Sequence, residues 1–183
     1  MTTPPDRLSP SVFPLQGPEA AAVYDAQRLA EIARLGLDSP EPDPVLADAV
    51  RAAAAAVGLP IALVTVVLDE AQFFLASEGL EGWLSEVQGT PIEWSFCRFP
   101  VAERAPFVVE DAESHPRLVD NPLVKRDGLR CYAGVPLVTA FGAAVGTLCV
   151  AGPNPHEFSD GDVDTLRRLG DRVMAYLEER ASA

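Results

Sequence analysis

Apolar residues recur at three- and four-residue steps from Glu19 to Leu37. Val23, Ala26, Ala30, Ala33 and Leu37 form one stripe, and Leu29 and Ile32 broaden it. This spacing predicts a helix ended by Gly36 and by the prolines at 40, 42 and 44. A second helix is predicted from Pro44 to Val57, where VLADAVRAAAAAV is rich in alanine, with Gly58-Leu59-Pro60 as its stop. The period then changes. IALVTVVL (61–68) is a continuous β-branched run suited to a buried strand, and AQFFLAS returns after Asp69-Glu70 as the second arm of a hairpin.

Residues 79–100 mix Gly, Pro and both tryptophans and predict a loop with one or two short helices, one of them around Glu93–Phe99. FVVE (107–110) is a short strand. DAESHPRLVDNPLVKRDG has turn chemistry without a period and is long for a structureless loop, which points to function or to helical turns of its own. RCYAGVPLV (130–138) and AVGTLCVA (144–151) are two more strands. The Ser159–Asp162 arrangement caps a last helix reaching about Arg180, with Val163, Leu166, Gly170, Val173 and Leu177 on one side. No internal repeat is visible.

The order helix, helix, strands, irregular excursion, strands, helix predicts an α/β fold of the α+β kind. Its antiparallel sheet would carry helices on one face and the irregular segment on the other, leaving room between sheet and loop for a small ligand. Residues 1–18 hold five of the 17 prolines and read as an irregular arm, with Val12, Phe13 and Leu15 able to dock it; residues 19–181 read as one domain.

Charge and composition narrow the classes. A net charge of −13 argues against a nucleic-acid or anionic-membrane partner, both of which call for clustered Lys and Arg. No apolar run reaches the about 18 residues of a transmembrane helix, and the N-terminus has no secretory pattern, so a cytoplasmic setting is expected. Cys97, Cys131 and Cys149 are widely spaced, with no C-x-x-C pair and no ligand spacing to His115 or His156. Neither a disulfide framework nor a metal site is expected.

IALVTVVLDEAQFFLAS, EWSFC, DAESHPRLVDNPLV, LRCYAGVPLV and AVGTLCV, in this order, resemble the GAF domains of bacterial signalling proteins. The resemblance runs from about Ala26 to Tyr176. It implies a five- or six-stranded antiparallel sheet with terminal helices behind, a ligand pocket in front and pairing through the terminal helices. It also implies a receiver for a cyclic nucleotide, tetrapyrrole, haem, small metabolite or redox signal; the signalling partner is expected to be a separate protein.

Within the predicted strand 144–151, Thr147 and Cys149 share one face while Leu148 and Val150 share the other. The apolar face should meet the helices, and Thr147 should look toward the pocket with Thr65 as its neighbour. Cys97 lies at the pocket rim and is either a reactive thiol or a small hydrophobe filling a gap. Asp111, Asn121, Arg130 and Tyr132 cluster around the irregular segment. Asp111 and Asn121 are also natural turn formers, and Arg130 with Tyr132 could hold an anionic or aromatic ligand or form a rim ion pair.

With Ser95 and Phe96 of the EWSFC string, the candidate ligand-binding set is Thr65, Ser95, Phe96, Cys97, Asp111, Asn121, Arg130, Tyr132 and Thr147. Neither a cofactor nor a catalytic residue is expected. His115 is the one conceivable haem ligand, and nothing else marks a haem pocket. The reading is a non-catalytic sensory module for an unidentified small molecule, expected as a homodimer through its terminal helices because Leu29, Ile32, Leu35, Leu169 and Tyr176 exceed what one helix face can bury. The alternatives are a thiol redox enzyme or sensor of the methionine-sulfoxide-reductase kind, and a ligand-free adaptor.

Overall fold

A computed structural model of the chain describes residues 15–39 and 41–183. Six strands, the central ones buried along nearly their whole length, build the sheet: β1 (Ile61–Val67), β2 (Ala71–Glu78), β3 (Gly89–Pro91), β4 (Phe107–Val109), β5 (Cys131–Val138) and β6 (Ala144–Gly152). They form one antiparallel sheet in the order β3-β2-β1-β6-β5-β4. The two predicted hairpins, β1–β2 and β5–β6, meet side by side at its centre, with Thr65 opposite Thr147 and Leu63 opposite Cys149.

The helix behind the sheet that follows the first linker is α3 (Pro44–Val57). Asp43 caps its first turn by accepting from Val45 N and Leu46 N, and Gly58 closes it at φ 76°, a left-handed conformation that glycine adopts without strain. The last helix, α7 (Asp160–Ser182), opens on a reciprocal capping box between Ser159 and Asp162. These two cover one sheet face and bury Leu46, Val50, Leu166, Val173 and Leu177 against Val64, Val66, Val135, Leu148 and Val150. The Leu148/Val150 face therefore meets the helices, as the alternation predicts.

The first predicted helix is two. α1 (Gly17–Val23) and α2 (Ala26–Arg34) are separated at Tyr24-Asp25, where Asp25 caps α2 by accepting from Arg28 N over 2.7 Å. α2 joins α3 and α7 through Ile32 and Leu35, whereas Val23 of α1 is buried in the core on the opposite face. The chain thus wraps the sheet, and only part of the N-terminal helical region lies with the C-terminal helix.

Arg28 holds this corner. It is 4% exposed, and its guanidinium donates to the carbonyls of Ala22 and Val23 at the end of α1 and to Val67 O at the end of β1. Ala22 O also accepts from Asp25 N, whereas Val23 O lies where the helix break removes its intrahelical partner.

The apolar surplus of the terminal helices is partly buried within the chain. Ile32 and Leu35 are buried, and Leu29, Leu169 and Tyr176 pack against the same core. Leu15 packs on the other face, while Val12 and Phe13 lie outside the described residues, as does the rest of the arm before Leu15.

Candidate functional site

The sheet face opposite α3 and α7 is covered by the segments between β2 and β4 and between β4 and β5. These contain α4 (Gly82–Val87), a 3-10 turn at Ile92–Trp94, α5 (Arg98–Glu103), a second 3-10 turn at Ala112–Ser114 and α6 (Pro122–Lys125). The long aperiodic segment therefore has helical turns of its own, each opened by a side-chain cap. Asp111 accepts from Glu113 N, and Asn121 from Leu123 N. The sequence pattern did not reveal β3, three residues long on the sheet edge beside β2.

Between sheet and cover lies a cavity of about 110 Å³. Leu63, Phe74, Leu84, Phe96, Leu129 and Ala151 supply most of an apolar wall, with Cys97, Tyr132 and Cys149 at one part of it and Gln72 and Thr90 at another. Exposed Asp127, Gly128 and Pro153 stand at its rim. The indole N–H of Trp83 in α4 donates to Asp127 Oδ1 over 2.8 Å, tying the two covering segments to each other.

Two polar groups are built into this wall. In the first, Gln72 Nε2 donates to Thr90 Oγ1 over 2.8 Å, and Ser95 Oγ donates to Gln72 Oε1 over 2.7 Å. Ser95 Oγ in turn accepts from Arg98 N at 3.2 Å. This chain locks β2, β3 and the start of α5 together with every amide position of Gln72's head group oriented.

The second group centres on sulfur. The Sγ atoms of Cys97 and Cys149 lie 3.9 Å apart, and the Tyr132 hydroxyl donates to Cys97 Sγ over 3.4 Å. The hydroxyls of Thr65 and Thr147 lie 3.0 Å apart beside them. Gly134 makes this possible, because a Cβ there would stand 2.1 Å from the Tyr132 hydroxyl. Burial raises the Cys97 thiol pKa, but donation from Cys149, Thr147, Tyr132 and Thr65 outweighs it, and the net shift is downward. Its partner Cys149 is pushed well above the ordinary thiol value by its bond to Cys97 and by burial. The two sulfurs thus differ in acidity, Cys97 being the more acidic.

The sequence-derived candidates divide into three groups. Phe96, Cys97 and Tyr132 line the cavity, and Thr65 and Thr147 sit behind Cys97 as the cross-strand pair the alternation anticipated. Ser95 and Asn121 act as braces: the Asn121 side chain donates to Trp94 O over 3.1 Å while capping α6. Asp111 and Arg130 form a bidentate ion pair at 3.0 and 3.1 Å, half-exposed and away from the cavity lining, and each stabilises the charged form of the other.

Arg130 precedes β5 rather than lying within it, so it does not share a strand face with Tyr132. His115 packs edge-on against Phe107 and accepts from Arg117 N, outside the cavity lining. Sequence reasoning passed over Gln72, Thr90, Trp83 and Asp127. The detectable signal was Gln72, a polar side chain in an otherwise apolar strand. Among the described residues no three His, Cys, Asp or Glu side chains converge as metal ligands, and no helix is long and apolar enough to cross a membrane.

α3 and α7 on one face of an antiparallel sheet, with a loop-roofed cavity on the other, define a layered α/β domain. Residues 41–177 match the family model described as GAF domain, and the chain belongs to that family, whose members occur in signalling proteins. A cyclic di-GMP phosphodiesterase of Pseudomonas aeruginosa is 36% identical over 152 residues, covering 82% of this chain and 25% of that protein. The chain thus spans about a quarter of the length of that relative.

Among solved structures, the GAF domain of a phosphoenolpyruvate-protein phosphotransferase from Coxiella burnetii superposes with a TM-score of 0.64. It is 16% identical, over 88% of this chain and 96% of that one. Free methionine-R-sulfoxide reductase from Neisseria meningitidis gives a TM-score of 0.61 at 19% identity, over 93% and 97% of the two chains. At these identities the likeness is one of fold.

Proposed function

We propose that this chain is a non-catalytic GAF sensory domain that takes up a small, mainly apolar molecule in the cavity between β1, β2, β6 and α4–α6. The observation that carries the reading is the cavity itself: about 110 Å³, walled by aliphatic and aromatic side chains, with oriented polar atoms only at Gln72, Thr90 and the Cys97–Tyr132 cluster. An apolar protein cavity of roughly 150 Å³ accepts a ligand the size of benzene, so a single small ring or short aliphatic chain fits this scale, and a dinucleotide does not. The polar atoms would fix the orientation of one hydroxyl, carbonyl or ring nitrogen.

By likeness to the Pseudomonas relative, the domain would act as the input to a cyclic di-GMP signalling output, carried by another segment or another protein. A signal would pass from the cavity through β1 and β6, whose opposite faces pack on α3 and α7. Three free thiols suit a reducing, cytoplasmic setting. The test is native mass spectrometry of the purified domain against a panel of one-ring aromatics and short-chain alcohols, with cyclic di-GMP as the comparison. Saturable one-to-one binding of a small apolar compound supports the reading. Binding of cyclic di-GMP alone would overturn it.

A further inference from the structure

The sulfur cluster is more specialised than a cavity wall requires. Packing alone would be met by Phe at 132, and by Ala or Val at 97 and 149. Instead a fully buried phenol donates to Cys97, two threonine hydroxyls are paired beside it, and two thiols face each other at 3.9 Å while both line the cavity. The third cysteine, Cys131, is remote from this arrangement. Its sulfur lies beside Gly152 and Leu59, and burial pushes its thiol up to about 11.

We propose that Cys97 and Cys149 are a redox pair, oxidised by a small hydroperoxide entering the cavity to an intramolecular disulfide. In the first step a sulfur lone pair of Cys97 attacks one peroxide oxygen and the O–O bond breaks. The departing alkoxide, or hydroxide from hydrogen peroxide, takes the Cys97 thiol proton and leaves as alcohol or water, and Cys97 becomes a sulfenic acid. In the second step Cys149 sulfur attacks Cys97 sulfur: the S–S bond forms, the S–O bond breaks, and the departing hydroxide takes the Cys149 proton. Two thiols have lost two electrons and two protons, and for hydrogen peroxide the products are two waters.

The fold divides the roles between the cysteines. Cys149 sits in the middle of β6, held between Leu63 of β1 and Gly134 of β5, and cannot shift without breaking the sheet. Cys97 stands just before α5, on the covering side, where a χ1 rotation with a small backbone adjustment can close the gap to the roughly 2.05 Å of a disulfide. The more acidic sulfur is also Cys97, which makes it the attacking thiol and Cys149 the resolving one. A cavity of this size admits hydrogen peroxide and excludes flavins and larger oxidants. Phe96, adjacent to Cys97 and part of the lining, would move with it, so oxidation would reshape the cavity whether or not a ligand also binds there.

The experiment is peroxide titration of the reduced, full chain, followed by intact-mass measurement and non-reducing peptide mapping. The expected product has lost two hydrogens and carries a Cys97–Cys149 linkage, with Cys131 still alkylatable. Cys149→Ser should instead gain one oxygen, trappable by a sulfenic-acid probe, and Cys97→Ser should do neither. Tyr132→Phe, which removes one donor to the attacking sulfur, should slow disulfide formation several-fold at neutral pH while leaving its endpoint unchanged. The wild-type mapping stands alone if a variant fails to fold. Oxidation first at Cys131, or no linkage at peroxide doses that fully oxidise a free thiol in the same tube, would overturn the proposal. An unchanged rate in a folded Tyr132→Phe would overturn the role given to the phenol.

Discussion

The indole N–H of Trp83 and the carboxylate of Asp127 meet at 2.8 Å across the mouth of the cavity, joining segments 44 residues apart. Trp83 also stands edge-on to Trp94, at 6.1 Å between centroids. The bond is solvent-exposed, so its loss should cost little global stability, about 0.5–1.5 kcal/mol at most. Asp127→Ala should nevertheless loosen the roof. Amide exchange around residues 80–88 and 126–130 should accelerate while that of β1 and β6 stays unchanged. Uniform acceleration would mean that the contact supports the whole domain and not its mouth.

Arg28 is predicted to be among the costliest residues to replace. Its depressed pKa, about 10, records the desolvation of a buried guanidinium, only partly offset by Asp25 and Asp69. Arg28→Met removes the charge but takes the guanidinium from the carbonyls of Val23 and Val67, so urea unfolding should show a loss of about 3–5 kcal/mol. Arg28→Lys should recover only part of this, since one ammonium cannot reproduce the planar fork. Equal stability of wild type and Arg28→Met would refute the corner assignment.

Asp43 couples two helices behind the sheet. It caps α3 and also accepts from the Tyr176 hydroxyl at 2.7 Å and the Arg180 guanidinium at 2.9 Å, both on α7. Burial raises its pKa, but these hydrogen bonds outweigh that effect, and the net shift is downward. A carboxyl depressed in the folded state stabilises above its unfolded pKa of about 3.9 and loses that contribution as pH falls through the folded value. Asp43→Ala should cost about 1–2 kcal/mol at neutral pH. The wild-type advantage should shrink below about pH 4, the ordinary aspartate range. A difference between the two proteins that is constant down to pH 2 would show that the charge of Asp43 is irrelevant.

Leu148 is fully buried on the helix face of β6. Leu148→Ala should destabilise by about 2–5 kcal/mol, as a cavity-forming core substitution does. A loss below about 0.5 kcal/mol, the surface range, would contradict the facing of the sheet.

Much of this fold was legible because strands and helices announce themselves by period. The run IALVTVVL, the hairpins, and the Thr147/Cys149 against Leu148/Val150 alternation fixed which side of β6 meets helices and which meets the cavity. Ser159-x-x-Asp162 likewise marked the start of the last helix by local chemistry. The break at Tyr24-Asp25 was hidden because the apolar period continues through it. What separates α1 from α2 is the Asp25 cap together with a long-range contact, Arg28 to Val67, that no local pattern contains.

The site was less legible for the same reason. Cys97 and Cys149 are 52 residues apart in sequence, and only the stacking of the covering segment on β6 brings them together. Asp111 and Arg130 were plausible ligand groups as isolated polar residues, and in the fold they are occupied with each other. Gln72 and Thr90 take up the polar positions of the wall through a strand too short to show a period.

The central claim is that the cavity between β1, β2, β6 and the covering helices is a binding site for a small apolar molecule. Its most direct test is amide chemical-shift mapping with phenol as the probe, on the wild type and on Ala151→Leu, a substitution at the cavity wall that fills part of its volume. The account predicts saturable shifts clustered at Leu63, Phe74, Phe96, Leu129 and Tyr132 in the wild type, and their loss in a folded Ala151→Leu. Shifts scattered over the surface, or identical titrations in both proteins, would contradict it.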